Sequence, residues 1–266
     1  MMKLQVFFIV FSLLLAPLGM AQTDTLSRER MIFPAGERVE YLAHYGFINA
    51  GEAVIRLSDE QHQINGKSCY KVEIEGRTTG MFRLGMRVDD LWRSYIDTQT
   101  GLPQRFHRDI KENKYTKVET VNFDQEAGKA YVRHVTKSRP EKKETYEMDP
   151  HSQDMISGYY HLRGIDFSQY QKGDTITIDA FFEDKPYDFR LRFLGKSQVK
   201  TRIGKYDALV MAPIMPESSI FDGENSIQFW ISDDKYRIPL KIRANMFIGA
   251  VEVEVVEYQN DEIHLD

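Results

Sequence analysis

Apolar and polar side chains alternate along most of this chain with a period of two. In Asp188-Phe189-Arg190-Leu191-Arg192-Phe193 the apolar side chains share one face and the charges the other. Tyr70, Val72 and Ile74 alternate with Lys71, Glu73 and Glu75, and Val251, Val253 and Val255 alternate with Glu252 and Glu254. Successive residues of a strand point to opposite faces. These segments therefore predict half-buried antiparallel strands, with one face in a core and one in water. Turn-forming residues separate them: Asn49-Ala50-Gly51, Asn65-Gly66, Thr100-Gly101-Leu102-Pro103, Asp222-Gly223 and Asp233-Asp234.

Two stretches depart from that period. Over 150–163 the pattern predicts an amphipathic helix. Asp149-Pro150 offers an N-cap followed by a proline in the first turn, and Gly164 offers a stop. Ile156, Tyr159, Tyr160 and Arg163 share one face of it. Such a helix either covers a sheet or plugs a cavity that the sheet leaves open. The stretch from Thr78 to Met86 is apolar but broken by Gly80 and Gly85, which predicts a loop. At the start of the chain, Lys3 precedes an apolar run from Leu4 to Leu15, Pro17 breaks it, and Gly19-Met20-Ala21 follows. This is the layout of a cleavable secretory signal over residues 1–21, ahead of a flexible segment at 22–32. The apolar run is shorter than the roughly 20 residues that a membrane-spanning helix needs. A periplasmic or secreted protein, with no transmembrane segment in its mature part, is the expectation.

The two halves of the chain also match each other at a nearly constant offset. Gly36-Glu37-Arg38-Val39 matches Gly173-Asp174-Thr175-Ile176, Gly66-Lys67 matches Gly204-Lys205, and Leu91-Trp92 matches Phe229-Trp230. Ser94 and Asp97 match Ser232 and Asp234, and Leu102-Pro103 matches Ile238-Pro239. A sheet cannot bury its apolar face alone, and a second copy supplies the missing layer. The expected fold is mostly β. It is a curled antiparallel sheet, an open barrel or spiral, built from two related units at 36–124 and 173–258, with one packed amphipathic helix inside a single domain at 33–258. Trp92 and Trp230 are expected to be equivalent buried anchors.

The stretches FPAGERVEYLAHYGFINAGEAVIRL, VDDLWRSYIDTQTGLPQRF, DPHSQDMISGYYHLR and FWISDDKYRIPLKIRANMFIGAVEVEV resemble an exported bacterial family, domain of unknown function 3108, over about residues 33–258. That resemblance implies an exported protein of Gram-negative bacteria. It transfers no catalytic residues, because the family has no established activity. The hairpins that carry the tryptophans are also similar to those of periplasmic lipoprotein carriers. In those proteins a curled sheet wraps a helix and holds acyl chains, a likeness of fold alone.

Charge and chemistry narrow the function classes. The net charge is −5 and the charges are interspersed, which disfavours nucleic acid as a partner. The one cysteine, Cys69, sits in an alternating segment and is expected to be buried. No G-x-S-x-G or H-E-x-x-H occurs. Gly66-Lys67-Ser68 and Gly195-Lys196-Ser197 lack the upstream glycine of a phosphate loop. The carboxylate pairs are Asp89-Asp90, which face opposite sides of a regular strand, Asp233-Asp234, which sits in a turn, and Asp149 with Asp154; a hydrolase with an unrecognised acid pair drawn from distant strands is one alternative. No catalytic residue, metal or cofactor is assigned. The leading expectation is a non-catalytic periplasmic binding or carrier module for an apolar or lipid-like ligand, and its rival is a scaffold for an envelope protein partner. Candidate ligand-binding residues are Met81, Phe82, Leu84 and Met86 in the first apolar loop and Tyr159 and Tyr160 on the helix. Ile214, Met215 and Phe221 join them from the matching loop that begins at Met211.

Overall fold

The computed structural model describes residues 34–137, 139–214 and 225–260. The predicted signal at 1–21 and the segment 22–32 lie outside them, as do Met215 and Phe221. Strands β1 (Arg38–Tyr45), β2 (Ile48–Ile64), β3 (Lys67–Thr78), β4 (Asp89–Asp97), β5 (Pro103–Glu112), β6 (Tyr115–Asp124), β7 (Lys129–Thr136) and β8 (Arg139–Glu147) form a first meander. Helix α1 (Gly80–Gly85) stands between β3 and β4, where a loop was expected. Helix α2 (Met155–Arg163) and a 3-10 turn (Phe167–Gln169) link to a second meander. Its strands are β9 (Thr175–Phe182), β10 (Lys185–Lys200), β11 (Lys205–Pro213), β12 (Ile227–Ser232), β13 (Pro239–Asn245) and β14 (Ala250–Gln259).

All of them join one antiparallel 14-stranded sheet in the order β8-β7-β6-β5-β4-β3-β2-β1-β14-β13-β12-β11-β10-β9. The seam between the meanders is the β1–β14 ladder, from Arg38 opposite Gln259 to Tyr45 opposite Val251. The sheet curls without closing. Beside edge strand β9, the chain that leaves β8 adds a parallel bridge, with Gln153 N–H donating to Asp179 O and Phe181 N–H donating to Gln153 O, both at 2.8 Å. The mostly β, curled-sheet expectation is thereby met.

The inner face of the curl carries the apolar half of each alternation. One continuous core takes Val39, Val72, Trp92, Phe106 and Phe123 from the first meander and Phe181, Val199, Leu240 and Val255 from the second. A smaller cluster of Leu162, Phe167, Ile178, Leu191, Phe193 and Met211 packs beside it. Met211 is thus a buried β11 residue and not part of a loop. Trp92 is 4% exposed, between Phe106 and a stacked Phe182. Trp230 is only partly buried at the border of the core, with its indole N–H on Ser197 Oγ at 3.2 Å. The two tryptophans are therefore not equivalent anchors, because Trp92 gains its cover from Phe182 of the β9–β10 hairpin.

α2 lies against β4 and β9 inside the curl. It starts at Met155 and not at Pro150, because Gln153 is held in the bridge to β9 and His151 has φ 72°. Asp154 is the N-cap instead. Its carboxylate accepts from the N–H groups of Ile156 and Ser157, and Ser157 Oγ accepts from Asp154 N–H, a capping box.

Candidate binding surface

The interior of the curl is occupied by the chain itself. The predicted helix face is the buried one, with Ile156, Tyr160 and Arg163 in the core and Tyr159 packed against it. Arg163 donates to both oxygens of Glu37 at 2.7 and 2.8 Å and to Tyr236 O at 2.9 Å. Its guanidinium lies over the rings of Tyr159 and Tyr160, and the hydroxyls of Tyr160 and Tyr258 also donate to Glu37. Burial holds the phenols of Tyr159 and Tyr160 above their ordinary range, so both stay protonated. Tyr159 and Tyr160 thus belong to a charge-centred lock between helix and sheet, with their rings covered by Arg163.

A second device fills another part of the curl. Cross-strand pairing lines up Trp92, Arg108, Glu119 and His134 on β4 to β7. The β9–β10 turn, Glu183-Asp184, enters above this row. Both residues have positive φ, as a tight two-residue hairpin requires. Arg108 meets Glu183 at 2.6 Å and Glu119 at 2.9 Å, and Lys117 meets Glu119 at 2.6 Å. His134 bridges Glu119 at 3.2 Å and Asp184 at 3.0 Å. The hydrogen bond to Glu119 raises the His134 pKa above its ordinary value, burial opposing. Burial would raise Glu119, but His134, Arg108 and Lys117 together hold it far below the ordinary carboxylate range.

Ligand atoms of Glu119, His134 and Asp184 lie within 4.8 Å of one another, the spacing of a small metal site. The donor set suits a divalent ion, but Arg108 and Lys117 already neutralise Glu119. The cluster is better explained as an ionic latch that pins the hairpin into the curl.

The carboxylate pairs divide as strand geometry demands. Asp89 is held by Arg83 at 2.9 Å and Arg87 at 2.8 Å on the accessible side, while Asp90 is buried on the other. Burial raises the Asp90 pKa to about 7, against one hydrogen bond from Lys111 N–H. Asp234 accepts from Ser232 Oγ and from the N–H groups of Tyr236 and Arg237, which is turn chemistry. Cys69 is buried, and burial pushes its thiol up to about 11, which suppresses the reactive thiolate.

The remaining candidates are at the surface. On α1, Met81 is 74% and Leu84 90% exposed, while Phe82 and, just past the helix, Met86 are half-buried. α1 is held to β2 by Thr79 N–H on Ala50 O at 3.0 Å. Ile214 is half-buried at the end of β11, where its N–H donates to Arg190 O at 2.9 Å. The structure thus groups Met81, Phe82, Leu84 and Met86, and sets Tyr159 and Tyr160 apart in the interior.

Three further apolar residues stand at the same end of the strands as α1, on turns that sequence reasoning passed over. Phe47 in the β1–β2 turn is 97% exposed, and Phe247 and Ile248 in the β13–β14 turn are 65% and 79% exposed. The two turns are tied by Tyr45 Oη–H donating to Ile248 O at 2.6 Å. Beside them opens a cleft of about 500 Å³ lined by His44, Arg243, Asn245, Met246 and Glu252. No described helix is long and apolar enough to cross a membrane.

Among solved structures, the chain is similar to a β-barrel-like protein of domain of unknown function DUF1849 from Brucella abortus. The TM-score is 0.53 at 13% identity, covering 84% of this chain and 97% of that one. That likeness concerns the fold alone. A putative lipoprotein from Parabacteroides distasonis aligns with TM-score 0.34 and 11% identity, covering 89% of this chain and 100% of that one. No curated protein matches. The family model described as protein of unknown function, DUF3108, matches residues 40–256, and the chain belongs to that family.

Proposed function

We propose that this protein is an exported, non-catalytic binding or carrier module of the cell envelope that engages an apolar or lipid-like molecule. One observation carries this reading. Five large apolar side chains (Phe47, Met81, Leu84, Phe247 and Ile248) are each at least 65% exposed, on α1 and on two turns at the same end of the strands, the binding edge of the molecule. Exposed apolar groups concentrated in this way mark interaction sites, whereas isolated ones do not. The interior is filled by α2 and by the β9–β10 hairpin, so the edge and not the hollow of the curl is the binding surface. The predicted signal at 1–21 supports export.

Titration with a fluorescent fatty acid below its micelle concentration tests this. The protein should bind it, and Leu84→Asp should weaken binding by roughly tenfold, the cost of losing one buried leucine-sized contact. Absence of binding by the unsubstituted protein would overturn the proposal.

A further inference from the structure

The strand pairing fixes which turns share an edge. Tyr45 pairs with both Ile48 and Val251, Asn245 with Ala250, Arg77 with Asp89, and Glu112 with Tyr115. The β1–β2 turn, the β13–β14 turn, α1 and the β5–β6 turn therefore follow one another along the same edge. In these four described segments (46–47, 79–88, 113–114 and 246–249) the charged residues are Arg83, Arg87 and Lys114, with no carboxylate among them. Asp89, at the first position of β4, takes both arginines, yet the Arg87 side chain remains 65% exposed. The β9–β10 turn, at the same end of the strands, carries Glu183 and Asp184, which are taken up by Arg108 and His134. A chain of net charge −5 thus presents exposed cations and apolar side chains together on these four segments.

Two of the tips that carry these groups are open to solvent. A Cβ placed on Gly46 or Gly85 would meet no atom within 4 Å, so the tips beside Phe47 and Leu84 project freely. Apolar tips beside exposed cations match the two layers of an anionic lipid surface, acyl chains beneath phosphates. A fluid acyl layer closes around each one, while neighbouring cations meet the phosphates.

We propose that this edge docks on a lipid surface with anionic headgroups. Phe47, Leu84, Phe247 and Ile248 enter the acyl boundary, and Arg87 and Lys114 lie against the phosphates. The inference rests on the reading of the edge as the binding surface and names its partner.

Flotation with vesicles tests it, using the protein from residue 22 onward, which keeps every described strand. One set is phosphatidylcholine alone and the other includes phosphatidylglycerol. The protein should float with the anionic set, less so as salt rises. The double variant Phe47→Asp/Leu84→Asp, with both changes at exposed sites and its fold checked by circular dichroism, should lose at least roughly tenfold in partition. Arg87→Glu/Lys114→Glu should lose the preference for anionic vesicles.

No flotation with either set would overturn the docking, as would flotation indifferent to the apolar variant. So would flotation that requires added envelope protein. Equal flotation with both sets would overturn the headgroup assignment. Fatty-acid binding retained without flotation would sink the docking and leave the binding reading standing.

Discussion

Arg163 and Glu37 are 0% and 1% exposed, and each satisfies the other in the middle of the core. Removing one partner of such a pair strands a buried charge, which costs about 3–5 kcal/mol. Arg163→Met should therefore lower the unfolding free energy by about that amount in denaturant titration, although methionine fills much of the same space. Asp90 poses the opposite case, a carboxyl whose Oδ2 is buried without a hydrogen-bond partner. Burial raises its pKa from 3.8 to about 7, so the protonated form stabilises the fold. That contribution is complete below about pH 4 and is lost as pH rises through 7. Asp90→Asn should remove the decline and raise stability at pH 8 by on the order of 1–3 kcal/mol. Thermal unfolding at pH 5 and pH 8 checks it. The sequence foretold that Asp89 and Asp90 face opposite sides, since strand geometry alone decides that. It could not foretell Glu37, whose partner lies 126 positions away and is met only when the curl forms.

At the scale of elements, the β9–β10 hairpin turns on its charged tip. Asp184 and Glu119 both favour the imidazolium of His134, while Lys117 opposes it. A raised histidine pKa means stabilisation that is full below the ordinary value near 6.5 and lost as pH rises through the folded value. Asp184→Asn should move the His134 titration down without returning it to 6.5, because Glu119 remains, and should weaken the fold by about 1 kcal/mol. Imidazole NMR shifts against pH report the first effect and denaturant unfolding the second. A titration unmoved by the substitution would show that the hairpin tip does not engage His134. The alternation of apolar and charged residues told where β9 and β10 run, but not that Phe181 and Phe182 would be driven under the first meander. Likewise the helix period was legible while its start was not. Pro150 offered an acceptable first turn, but Gln153 was claimed by the bridge to β9. The exposed turns at Phe47 and Phe247 left no periodic signal, since turns of two and four residues are too short to show one.

At the scale of the molecule, the two meanders close on each other through β1 and β14, and the principal core takes side chains from both. We propose that β1–β6 and β9–β14 descend from one duplicated unit. The offset matches align their first strands, and they place Trp92 on β4 opposite Trp230 on β12. Such units lose their independence once they share a core, because each supplies what the other's inner face needs. The first meander depends on Phe181 and Phe182 to cover Phe123 and Trp92, and on α2 to neutralise Glu37. A chain ending at Glu147 would lose all of these and expose β1 as an open, unpaired edge. Residues 34–147 expressed alone should therefore aggregate or stay unfolded, whereas the whole protein should unfold in a single transition with coincident tryptophan fluorescence and circular dichroism. Trp92 and Trp230 sit in opposite meanders, so fluorescence from single-tryptophan variants reads each separately. Two separated midpoints, or a soluble, cooperatively folding 34–147 fragment, would mean that the shared core contributes little and that the halves still behave as the units they came from.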